Sequence, residues 1–222
     1  MIIINVSEEI RSVCPQFVGV ALEMEGVVNS KFSESLWSEI RAIQQITINT
    51  LSTEMIKLLP AIESTRAVYR ACGKDPSRYR PAAEALLRRT LQGKDLYQID
   101  TLVDLINLAS MQSGYSIGGF DADNIVGDCL TLGIGKEGEP YEGIGRGMLN
   151  IAGLPVYRDR EGGIGTPTSD HERTKITAST KHILVLVNGY DGNREQVVAT
   201  AELIKRLVCE HAAGNEASIT VY

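Results

Sequence analysis

Two hydrophobic rhythms divide this chain near residue 114. Before that point apolar residues recur mostly at helical spacing; beyond it they run in short blocks between glycines. Residues 2–6 and 17–22 read as strands. Residues 33–58 read as one helix, with Leu36, Ile40, Ile43 and Leu51 on its apolar face and Pro60 as its stop. A second helix is predicted over 62–72 with Gly73 as its C-terminal glycine. A third begins at Pro81, a good first-turn residue, and ends before Gly93. Asp100 caps a fourth, which runs to Ser113 and stops at Gly114.

Fourteen of the 21 glycines then fall between Gly114 and Gly165, a composition suited to strands and tight turns. Strands are predicted at 129–134, 154–158 and 182–188. A last helix opens at Asn193 with Gln196 in capping-box position, carries the stripe Val197, Ala201, Ile204 and Val208, and ends at Gly214. Residues 218–222 read as a closing strand. No repeat, heptad or linker interrupts this order. The expected class is α+β: a mixed, largely antiparallel sheet packed with helices around a pocket. Residues 1–222 are expected to form a single domain, helix-rich over 1–113, glycine-rich and stranded over 114–190, and closed by a helix and strand over 191–222.

The formal net charge of -6 argues against a protein coated with nucleic acid along its whole surface. The charge is polarised, however. Eight Lys or Arg residues lie between Arg66 and Lys94, opposed by Asp75 and Glu84 alone, which makes +6 locally and leaves -12 elsewhere. Such a stretch suits a phosphate-binding face or internal ion pairing. The four cysteines have no zinc spacing and no close pair, so free thiols in a reducing compartment are expected. The first residues lack the basic, then apolar, build of a signal peptide, and no run reaches transmembrane length, which reads as a cytoplasmic protein without a membrane partner. Oligomeric state is not legible.

The candidate chemistry lies in three places. Asp104 and Asn107 sit on one face of an apolar helix, with Ser110 next along it, and need polar partners. They suit either a wall holding an amine or a tie to the glycine-rich segment. Gly118 and Gly119 could offer amides to a carbonyl or oxyanion, or simply make a turn. Asp121 caps the short turn after them. The polar run Ser169-Asp170-His171-Glu172-Arg173-Thr174-Lys175-Ile176-Thr177 holds one of three histidines, a candidate general base, although a solvated loop would look the same. The Gly133-Ile134-Gly135-Lys136 run lacks the spacing and trailing hydroxyl of a P-loop. No cofactor and no metal are expected.

A set of ordered short motifs carries a resemblance: Asp75-Pro76-Ser77-Arg78-Tyr79-Arg80-Pro81, Glu84 to Arg89, Val103-Asp104-Leu105-Ile106-Asn107, Phe120-Asp121 and Lys136-Glu137-Gly138-Glu139, with a weaker remainder over 174–188. In order and spacing the chain resembles the editing and tRNA-binding domain of the phenylalanyl-tRNA synthetase beta subunit, the B-three/B-four domain, in a free-standing form. The resemblance implies a pocket that hydrolyses mischarged aminoacyl-tRNA in trans, with tRNA or a small amino-acid-like ligand as partner. Taken with that resemblance, Asp104, Asn107, Gly118, Gly119, Phe120, Thr174 and Thr177 are the expected pocket residues and Arg78, Arg80, Arg88 and Arg89 the expected tRNA contacts, while His171, which matches no family residue, is the catalytic candidate to replace the family's missing His. No stretch resembles a synthetase catalytic core. Two positions depart from the family: Gly118 stands where the bacterial synthetase has a His, and Leu186 where it has a Glu that reads the tyrosine hydroxyl. Leucine cannot accept from a phenol, and stranding that hydroxyl costs ~1–3 kcal/mol, which disfavours tyrosine as occupant. The alternative is a non-catalytic module that binds RNA, an amino acid or a protein.

Overall fold

The computed structural model describes residues 1–222. Elements follow in the order β1 (Ile3–Val6), α1 (Glu8–Val13), β2 (Val18–Glu25), α2 (Glu34–Thr50), α3 (Thr53–Ile56), α4 (Pro60–Ala71), α5 (Ala82–Leu91), α6 (Thr101–Ser113), β3 (Ile117–Asp121), β4 (Cys129–Ile134), β5 (Glu142–Gly143), β6 (Gly147–Met148), β7 (Pro155–Arg158), β8 (Gly163–Gly165), β9 (His182–Gly189), α7 (Arg194–His211) and β10 (Glu216–Val221). Two 3-10 turns, Ala122–Asn124 and Glu172–Thr174, complete the set.

The class is α+β as expected, with eight strands divided between two four-stranded sheets and β5 and β6 forming a separate hairpin. The inner sheet has the order β10-β2-β9-β3 and is antiparallel throughout. The outer sheet has the order β1-β4-β7-β8, and only its β1–β4 pair is parallel. The inner sheet is covered on both faces. Val20, Leu22, Ile183, Val185 and Val187 pack on α2, α6 and α7, while Ala21, Phe120, Leu184 and Leu186 pack on Leu130, Leu132, Tyr157 and Ile164 of the outer sheet. Covering on both faces is why β9 reads as the unbroken run Ile183-Leu184-Val185-Leu186-Val187 rather than as an alternation.

The helix predicted over 33–58 breaks at Leu51, whose extended backbone (φ -123°, ψ 141°) ends α2 and lets α3 restart after Ser52. The preceding Ile46-Thr47-Ile48-Asn49-Thr50 is rich in β-branched residues, which hold a helix weakly. Pro60 begins α4 instead of only stopping the helix before it, because its missing N–H costs nothing in the first turn. Helix α6 has the bounds read from the sequence: Asp100 accepts from the Val103 N–H, and Gly114 closes it at φ 79°. Helix α7 stops short of Gly214, with Ala213 taking the left-handed turn at φ 52°. Its capping box is half formed: Asn193 accepts from Gln196 N–H, while the Asn193 N–H donates to Asp191. Helix α1, capped by Ser7, was not evident from the spacing. No helix is long and apolar enough to cross a membrane.

Candidate functional site

Asp104 is buried on the face of α6 that meets α2. Its carboxylate accepts from the Trp37 indole N–H at 2.7 Å and the Ile99 N–H at 3.1 Å. Burial raises its pKa, and these two bonds pull it part of the way back. It ties helices together and makes no bond to the glycine-rich segment. Asn107 is half-buried and makes no side-chain hydrogen bond, contrary to the buried, bonded residue expected from its apolar surroundings. Asn107→Leu is therefore expected to change stability by less than about 0.5 kcal/mol, the range of ordinary partly exposed positions, measured by urea unfolding. Ser110 does bind toward the glycine-rich segment, donating to the Tyr115 carbonyl at 2.6 Å.

Gly118 and Gly119 lie in β3, an edge strand. Antiparallel pairing turns successive peptide groups alternately toward β9 and toward the free edge, so their two N–H groups diverge and form no oxyanion hole. The Gly119 N–H donates to Asp170 Oδ2 at 3.2 Å. A Cβ at Gly118 would lie 2.7 Å from the Phe120 ring, which explains the glycine: Phe120 folds back across it. Opposite Gly118 in register stands Leu186, fully buried. The two positions that depart from the family are thus cross-strand partners facing the same side. With both polar groups absent, the Phe120 ring and apolar neighbours from the outer sheet fill the space.

His171 begins the second 3-10 turn. Its Nδ1 accepts from the Arg173 N–H at 3.0 Å, and its ring meets Tyr141 edge-on with centroids 5.0 Å apart. Burial lowers its pKa, aided by the Arg173 charge and opposed by Glu142, Asp159 and Glu172. A neutral imidazole that accepts at Nδ1 carries its proton on Nε2, so it cannot take another without giving up the cap. The adjacent Asp170, rather than His171, reaches the glycines. Thr174 is buried with its hydroxyl unpartnered. Thr177 shapes a turn through Ser179 and Thr180, and Thr180 donates to Asp121 at 2.7 Å.

The basic stretch divides into two groups. Arg66, Arg80 and Arg88 converge on Glu84, whose side chain is fully buried, at 2.8, 3.5 and 2.8 Å. Arg89 stacks on Tyr97 at 3.9 Å and donates to the Asp95 carbonyl. Arg88 and Arg89, expected at an RNA surface, are thus engaged within their own fold. Arg78 and Arg80, in contrast, border a cleft of about 330 Å³ together with Arg146 from the β5–β6 hairpin. Tyr79, Thr166 and Thr168 also line it, and Leu149, Ile151 and Leu154 form an apolar wall. Lys74 sits 3.7 Å from the Tyr79 ring centroid and donates to the Asn150 carbonyl; burial and the Arg78 charge lower its pKa. Arg78 and Arg146 are exposed and form no ion pair. Arg146 and the two threonines escape a reading of local sequence because tertiary folding alone brings them to Arg78; a cationic residue among hairpin glycines was the only signal.

Asp170 is the least satisfied of the inward-facing carboxylates. Glu84, Glu139 and Asp159 hold arginines, and Asp121 and Asp191 hold hydroxyls. Asp170 has only the Gly119 N–H, and burial pushes its pKa up to about 7. Its segment runs on from Thr166 and Thr168, so the Asp170 contact at the edge of β3 and the basic cleft are built from one stretch of chain.

The family model described as the B3/4 domain matches residues 64–205, well over half of the chain. No curated protein matches it. Among solved structures, the chain is similar to an N-terminal fragment of the phenylalanyl-tRNA synthetase beta subunit from Pyrococcus horikoshii, with a TM-score of 0.51 and 17% identity. The match covers 98% of this chain and 50% of that one, so the chain spans half the length of the fragment it resembles. At that identity the likeness is one of fold.

Proposed function

The chain belongs to the B3/4 domain family, and from that premise we propose that it binds the charged end of an aminoacyl-tRNA, or a small aminoacyl ester. The observation that carries this reading is the cleft. Arg78 and Arg146 bring uncompensated charge to its lining, and Tyr79, with Lys74 on one face of its ring, adds an aromatic side chain to the same cleft. Arginine forks suit phosphate, and an aromatic face suits an unpaired base. The polar Thr166 and Thr168 lead from the cleft toward Asp170, which would lie on the aminoacyl side.

The double variant Arg78→Glu/Arg146→Glu is expected to weaken tRNA binding and to lower the slope of log K against log salt by about 1.4, near 0.7 for each single-strand phosphate no longer neutralised. Arg89→Ala is expected to change that slope much less. Titrations at several salt concentrations measure both; an unchanged slope in the double variant would remove RNA from the cleft.

Hydrolysis of the bound ester in trans is the catalytic form of this proposal. With His171 held as a cap and the Gly118 and Gly119 amides diverging, we assign water activation to the terminal hydroxyl of the tRNA itself. The same two observations favour a second reading, a binding module without chemistry. Incubation with a panel of aminoacyl-tRNAs, following loss of the ester, separates them. Hydrolysis that survives His171→Ala but fails with a terminal deoxyribose supports the substrate-assisted form, and no ester loss supports the module.

A further inference from the structure

Asp170 lies where three glycines meet. Its Oδ2 accepts from Gly119, and its Oδ1 lies 3.0 Å from where a Cβ on Gly165 would stand and 3.7 Å from that of Gly118. No lysine, arginine or histidine reaches it, and Oδ1 accepts no hydrogen bond. The residue is half-buried, and its unpartnered Oδ1 is not among the sealed polar atoms of the fold, so that oxygen keeps a path to solvent beside the β3 glycines. The wall beside it is the free edge of β3. Since the Gly119 N–H points out of the sheet to Asp170, the Gly119 carbonyl points to the same side and has no strand partner. The edge of β3 therefore offers a carboxylate oxygen and an unpaired carbonyl, and the fold brings no cation to either. Acceptors without a donor in a partly dry site favour a ligand that is donor-only and positively charged.

We propose that Asp170 and the Gly119 carbonyl form a recognition site for a primary ammonium group, the free α-amine of an amino-acid-like ligand. The inference rests on the aminoacyl-ester reading above and names the group that the Asp170 side of the site selects. The role anticipated for Asp104 and Asn107 passes to Asp170, because Asp104 is saturated by Trp37 and Ile99 and Asp170 is open. Glycine at 165 and 118 lets the chain close around the carboxylate; a Cβ at Gly165 would come within 2.5 Å of the Phe120 ring.

Alaninamide, leucinamide and phenylalaninamide, each with its N-acetyl derivative, test the site by calorimetric or NMR titration at pH 7. At least one free amide is expected to bind the wild type, and acetylation, which removes the charge, to weaken it tenfold or more. Asp170→Asn is expected to abolish that preference while leaving affinity for the acetylated form unchanged. Equal binding of free and acetylated forms, no binding by any of the free amides, or a preference that survives Asp170→Asn would each overturn the inference. The wild-type comparison stands by itself should the variant fold poorly. Uncharged tRNA titrated in parallel distinguishes the two proposals. Retained RNA binding without an ammonium preference sinks this inference alone, and an ammonium preference without RNA binding sinks the cleft reading alone.

Discussion

Glu84→Ala is expected to be among the most destabilising single substitutions in this protein, at about 3–5 kcal/mol, because it strands buried charge. The Glu84 side chain is fully buried, and the side chains of Arg66 and Arg88 are only 15% and 25% exposed. Removing the carboxylate leaves these two guanidinium groups facing each other across a void, with little water to take its place. Arg80, at 42% exposed and 3.5 Å away, contributes less because solvent screens it. A loss of this size is a large part of the roughly 5–15 kcal/mol that holds a domain together, and corresponds to a melting point lower by about 10 °C. Urea unfolding measures it directly, and a loss below 1 kcal/mol would mean that the network behaves like a set of surface pairs. The network also bears on the site: Arg80 reaches both Glu84 and the cleft, so a milder Glu84→Gln variant should loosen one wall of the cleft before it unfolds the chain.

Asp170→Asn is expected to stabilise the free protein at pH 8 and to leave it unchanged near pH 4. Burial raises the Asp170 pKa from its ordinary 3.8 to about 7, so between those values the folded chain holds a proton that the unfolded chain has released. Stability therefore falls as pH rises through this window. Three pKa units amount to at most about 4 kcal/mol, at 1.36 kcal/mol each. Asparagine keeps an oxygen for the Gly119 N–H and has no charge to bury. Around it β3 and β8 present glycines and Phe120, and Tyr141, whose own pKa is raised by burial and by Asp170, stays protonated across the range; the adjacent His171, its pKa lowered by burial, titrates in both proteins, so its contribution cancels in their difference. Urea unfolding of both proteins from pH 4 to pH 8 gives the difference curve. A variant less stable than wild type at every pH would show that the carboxylate has a partner in the fold. Stability given up at an unpaired acid is what a binding site for a cation requires.

The elements were legible in the sequence where local physics decides them. Asp100 and Gly114 bound α6 because a carboxylate can satisfy the first free N–H groups and only glycine turns left-handed cheaply. The unbroken apolar run of β9 announces a strand buried on both faces. The ordered motifs between Asp75 and Glu139 pointed to the family that the match over residues 64–205 shows. The basic stretch was visible as a sum of charges.

What each charge does was decided only by tertiary structure. Arg80 and Arg88 stand four residues either side of Glu84, a spacing that pairs them locally, but Arg66 reaches the same carboxylate from α4, and Arg146 comes to the cleft of Arg78 from a hairpin far along the chain. Asp104 and Asn107 share a helical face but not an environment, since Trp37 bonds one and the half-buried other makes no side-chain hydrogen bond. Within Ser169–Thr177 the sequence favoured His171 for its pKa near neutrality. Yet successive side chains of an extended segment point opposite ways, so His171 turned to Tyr141 and the cap, and Asp170 turned to the glycines. Side-chain type and local period follow from the order of residues; the partner across the sheet, which sets whether a polar group is saturated or open, is fixed by contacts that form only when the chain is folded.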